Sequence, residues 1–170
     1  MLIRTCAHGV SPGIDELIGP YPRIAFVSAS KTLIVPQQLN HKLLLVGADD
    51  ISMAAIPRVA QWALQLPAPF SNAFKRLYLH QSADYGYPAA PMSIEDALKI
   101  LGFINMHQRM RSQELIISCE YGKSRSVTLA GVMGSIMSFR SASEPRTPNA
   151  WVKHLMQVAM RKQSEVVKQW

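Results

Sequence analysis

The chain has little cysteine: two in 170 residues, Cys6 and Cys119, neither in a CxxC pair nor at zinc-binding distance from histidine. That excludes a disulfide framework and a structural zinc site, so any special sulfur chemistry rests on one thiol. Charge is also sparse, at 17% of residues against 48% apolar, the reverse of a disordered chain. Long apolar runs are missing. Nothing approaches the roughly 20 consecutive apolar residues that cross a bilayer, and residues 1–8 lack the core of a secretory signal. The expectation is a cytoplasmic chain without a membrane span. Repeats and low-complexity tracts are absent as well, and the length suits one domain over 1–170 that buries its own core.

What is present is an excess of positive charge, 18 Lys and Arg over 11 Asp and Glu, for a net +7. Such a balance favours anionic partners: a phosphorylated protein, a small phosphate ester, an anionic lipid headgroup or nucleic acid. The basic residues are dispersed without a dense, aromatic-interleaved stripe, which argues against nucleic acid. Short apolar runs alternate with amphipathic stretches, so the expected class is α/β, with a largely parallel central sheet flanked by helices. Residues 23–27, 42–46, 76–79 and 114–118 read as buried strands. Residues 51–66 are helical in composition, with Pro57 expected to start, break or kink the helix. Ser93 predicts an N-cap with Glu95 and Asp96 in the first turn, followed by Ile94, Ala97, Leu98, Leu101 and Ile104 at helical spacing. A further helix is expected over 127–139, and a last one capped by Thr147 with Pro148 at its first position, presenting Trp151, Leu155, Val158 and Val166 on one side. Residues 140–146 read as a connecting loop, and 161–168 as a solvated helix face. Residues 1–38 show no clear period.

The segment from the 114–118 strand to the 127–139 helix carries chemistry. It reads Cys119-Glu120-Tyr121-Gly122-Lys123-Ser124-Arg125-Ser126. A loop between a strand end and a helix start aims several backbone N–H groups at one point, which suits a phosphate. A thiol there meets the positive end of the helix dipole and those oriented donors, which favour the nucleophilic thiolate and can lower its pKa from about 8.5 into the range of roughly 3.5–7.5. Gly122 frees the turn of a Cβ, and Arg125 can return over the loop to grip two phosphate oxygens in a fork that lysine cannot form. A free cysteine at a strand end is ordinarily an inert buried thiol. The loop that follows Cys119 sets it apart.

Cys119-x5-Arg125-Ser126 resembles the C-x5-R-[ST] loop of the protein tyrosine phosphatase superfamily, and Gly122-Lys123-Ser124-Arg125-Ser126 is similar to its dual-specificity branch. The recognisable stretch covers about 77–139. The resemblance implies a cysteine-phosphatase fold, and phosphate-monoester hydrolysis without a cofactor or metal. It makes Cys119 the nucleophile, residues 120–125 the phosphate cradle, and Ser126 a hydroxyl that stabilises the departing thiolate. It also implies an aspartate some thirty residues before the cysteine as general acid, for which Asp84 in Ser82-Ala83-Asp84-Tyr85-Gly86 is the candidate on a loop. Asp49, Asp50, Glu95 and Asp96 rank behind it. The family usually has histidine before the cysteine, where it helps hold the loop; here it is Ser118. Lys123 at the loop rim keeps a phosphoinositide or inositol phosphate substrate open, and the Ser118 departure keeps open a catalytically weak phosphate-binding module. Sulfur transfer by a rhodanese-like loop is a third class. Of the histidines, only His80 falls near the site in the predicted order, and it is read as structural or solvated. Trp62, Trp151 and the methionines are read as core or partly covered packing.

Overall fold

The computed structural model describes residues 1–10, 12–31, 33–137, 140–141 and 148–168. Four parallel strands form the sheet: β1 (Leu2–Ala7), β2 (Arg23–Val27), β3 (Leu43–Gly47) and β4 (Glu114–Cys119), in the order β3-β2-β4-β1, with a two-residue β5 (Arg140–Ser141) alongside β1. Around them lie α1 (Ile14–Leu17), α2 (Arg58–Ala63), α3 (Phe70–Asp84), α4 (Ile94–Arg109), α5 (Arg125–Met137) and α6 (Ala150–Lys168). The expected α/β class with a parallel sheet is therefore observed. Among the described residues no helix is long and apolar enough to cross a membrane.

Alternation along the strands sorts the core. Ile24, Phe26, Val46, Leu115, Ile117 and Cys119 belong to the main cluster with residues of α2, α4, α5 and α6. Ala25, Val27 and Leu43 instead meet Leu17 of α1 and the half-buried Leu33 and Val35 in a smaller one. This two-sided burial explains why the strands read as continuous apolar runs.

Residues 23–27, 42–46 and 114–118 fall on strands to within one residue. Ser93 forms a capping box: its Oγ accepts from the Asp96 N–H, and Asp96 accepts from the Ser93 N–H. Pro57 divides the 51–66 segment, with a single 3-10 turn (Met53–Ala55) before it and α2 after it. Trp151 is buried, with Leu155 beside it in the core, and its Nε1 donates to the Met92 carbonyl at 2.8 Å; Arg161 and Lys162 are exposed.

Four expectations are corrected. Residues 76–79 are not a strand but the middle of α3, where Ser71, Phe74 and Tyr78 turn inward at helical spacing while Leu77 remains half exposed. A four-residue window cannot separate the two periods. Residues 140–141 form β5 rather than loop. Helix α6 begins at Ala150, and Asn149 supplies the cap, its Oδ1 accepting from the Val152 N–H at 2.9 Å. The Thr147 cap, residues 142–146 of the predicted loop, Phe139 and the Val166 side chain lie outside the described residues. Trp62 is 64% exposed and packs little.

Candidate active site

Strand β4 ends at Cys119 and α5 begins at Arg125, so the loop between them joins the carboxyl edge of the sheet to a helix amino end. Cys119 and Arg125 are both buried, at 2% and 4% exposure. The Cys119 sulfur lies 3.1 Å from the Ser126 hydroxyl. Burial is the largest single influence on the thiol and pushes it up. The Ser126 hydroxyl, the backbone N–H groups of Ser126 and Ser124, and the Arg125 charge together outweigh burial and hold the thiol below its ordinary value.

Gly122 has a left-handed backbone (φ +65°), and a Cβ there would sit 2.7 Å from the Ala7 nitrogen and 2.9 Å from the Cys6 carbonyl carbon. Both the conformation and the close approach exclude a side chain. Strand β1 forms the floor responsible: Ala7 pairs with Cys119, and the His8 and Gly9 N–H groups donate to the Cys119 and Glu120 carbonyls at 3.2 and 3.1 Å. The His8 Nε2 also reaches the Phe26 carbonyl, at 2.9 Å. His8, not His80, is thus the histidine at this site; His80 is exposed on α3. Ser118 is fully buried and its hydroxyl has no partner among the described residues, so bracing of the loop comes from residues 7–9 and not from the residue before the cysteine.

Arg125 donates from Nη1 to the Ala48 carbonyl, and its Nη2 lies 4.0 Å from Glu120 Oε2. Its Nε is buried with no acceptor among the described residues. Glu120 and Ser124 are half-buried, whereas Tyr121 and Lys123 stand exposed at the rim. The arrangement brings Cys119, Ser124, Arg125 and Ser126 together around one turn of backbone.

Asp84 is not part of that constellation. It closes the last turn of α3 instead of lying on a loop, is exposed, and has no hydrogen bond or ion pair to the phosphate loop among the described residues. The carboxylate beside the loop is Asp50, whose Oδ1 accepts from the Ser124 hydroxyl at 2.9 Å and from the Asn149 Nδ2 at 2.7 Å. Its neighbour Asp49 accepts from the Ala29 and Ala90 N–H groups, at 3.2 and 2.9 Å, and ties two loops together. Asp50, Ser124, Met53, Gln61 and Asn149 line a cavity of about 750 Å³. Sequence spacing pointed away from Asp50. The available signal was positional, because Ala48-Asp49-Asp50 follows β3 at the carboxyl edge of a parallel sheet, where ligands collect.

Compared with known protein families, with curated proteins and with solved structures, the chain has no match.

Proposed function

We propose that this chain is a cysteine-dependent phosphatase of the protein tyrosine or dual-specificity type, hydrolysing phosphate monoesters through a cysteinyl-phosphate intermediate. The observation that carries the reading is the Cys119 thiol, held below its ordinary value beside Ser126 at a strand-to-helix loop. The buried, unpartnered Nε of Arg125 supports it, since a phosphoryl oxygen is the acceptor such a donor suits.

In the first step the Cys119 thiolate attacks phosphorus, the S–P bond forms, and the P–O bond to the leaving group breaks. The departing oxygen takes a proton from a carboxylic acid. In the second step the same group, now a carboxylate, removes a proton from water as that water attacks the phosphocysteine, releasing phosphate and the thiolate. Arg125 and the loop N–H groups bear the charge on the equatorial oxygens. Ser126 donates to the thiolate as it leaves. Asp50 is assigned as the acid and base in place of Asp84, because Asp50 lines the cavity beside Ser124 and its Oδ2 makes no hydrogen bond among the described residues.

The test is hydrolysis of an aryl phosphate with chelator present. Turnover is expected in the parent chain, none in Cys119→Ser, and little or none in Arg125→Lys, because a point charge cannot replace a bidentate fork. Full activity in either variant overturns the assignment. The unpartnered Ser118 hydroxyl favours one second reading, a phosphate-binding module with little turnover. Saturable phosphate binding at the loop without Cys119-dependent hydrolysis selects that reading.

A further inference from the structure

A second concave site lies on the same edge of the sheet, and the proposed reaction does not use it. It is a cleft of about 360 Å³ between Asn72, Lys75 and Arg76 of α3 and Asp96 and Lys99 of α4, with Gly47 at the end of β3 and Ala29 just past β2 also lining it. Three cations face one carboxylate there. That carboxylate is already compensated: Asp96 Oδ2 accepts from the Ser93 N–H and hydroxyl and pairs with the Lys75 ammonium at 2.5 Å. Lys75 is held largely out of water, its side chain 16% exposed. The Arg76 guanidinium, the Lys99 ammonium and the Asn72 amide have no hydrogen-bond or ion-pair partner among the described residues. The cleft therefore offers donors and positive charge with no unengaged carboxylate opposite them.

We infer that this cleft binds a phosphate group separate from the one at Cys119. A guanidinium, an ammonium and an amide on residues lining one concavity match tetrahedral oxyanions, and the volume accommodates a phosphate with part of its carrier. The cleft is also wired to the loop. Asp49 holds Ala29 and Ala90 on the cleft wall, and Asp50, the next residue, holds Ser124. The phosphate has two chemical sources, a second phosphate on the same substrate or free inorganic phosphate. The inference does not depend on turnover at Cys119.

The experiment titrates isotopically labelled Cys119→Ser chain with inorganic phosphate while following backbone amides. Two groups of shifts are expected, one over 120–126 and one around 72–76 and 96–99. The pair Arg76→Glu/Lys99→Glu should weaken the second by about tenfold or more and leave the first unchanged. A charge-matched pair on exposed positions elsewhere, Arg109→Glu/Arg161→Glu, should leave both unchanged. Shifts confined to 120–126, or a second group weakened equally by the control pair, overturn the inference. The source follows from comparing a bisphosphorylated inositol ester with its monophosphorylated form. A KM advantage of the bisphosphate that disappears in Arg76→Glu/Lys99→Glu assigns the cleft to a second phosphate of the substrate. Equal KM values, with phosphate still binding in the cleft, assign it to the free ion. Because the titration requires no hydrolysis, failure of the cleft and failure of the phosphatase reading are separate results.

Discussion

At the scale of single residues, the site turns on how Cys119 is surrounded, and each neighbour has a measurable share. Burial alone would raise the thiol, so removing the Ser126 hydroxyl should weaken the opposition to burial. In a Cys6→Ser background, the pH midpoint for alkylation of Cys119 should lie below that of an ordinary thiol. Ser126→Ala should move the midpoint of that profile upward, toward an ordinary thiol. An unmoved midpoint would assign the depression to the backbone N–H groups and Arg125. For the proton donor, Asp50→Asn should lower turnover of a poor leaving group by about 10²–10⁴-fold while sparing an activated aryl ester, which leaves with little help. Asp84→Asn should leave both rates unchanged, and the opposite pattern would return the role to Asp84. Gly122→Ala combines a disfavoured backbone with an overlap against the Ala7 nitrogen. It should cost about 1–3 kcal/mol of stability in a denaturant titration and abolish phosphate binding at the loop.

At the scale of elements, legibility followed context. Helix α4 was readable because every local signal agreed: a capping serine, acidic residues in the first turn and a long apolar period. Ser93→Ala should cost about 1 kcal/mol, seen as a lower urea midpoint with an unchanged slope, and somewhat more if the Ser93 contact to Asp96 also orients the Lys75 pair. Helix α3 was misread from four residues whose apolar content is partly exposed; its inward face, Ser71, Phe74 and Tyr78, needs a window of two turns to appear. Strand β1 was unread for the opposite reason. Only Ile3 of its six residues is fully buried, and Arg4, Thr5 and Cys6 blur the pattern, because its place in the sheet comes from pairing with β4 and not from its own composition.

At the scale of the whole molecule, Cys119, Arg125 and the loop between them were legible because they are adjacent in sequence. Asp50, Asn149 and His8 were not, because only folding brings them there: Asp50 meets Ser124 from 74 positions away, Asn149 joins through Asp50 across 99 positions, and the His8 N–H reaches the Cys119 carbonyl from the end of β1. The distant floor under the loop has a further consequence, and it concerns time. Strand β1 leaves the ribosome well before β4, yet the two pair across more than a hundred positions of chain, as in Ile3 opposite Leu115. Closing that distance is entropically costly and slow, so the earlier strand must wait for the later one. Until it docks, Gly122 has nothing to rest against and the thiol has no finished cradle. Reactivity at Cys119 is then acquired only when β1 docks beside β4, and a chain in which the two have not paired carries this cysteine unarmed.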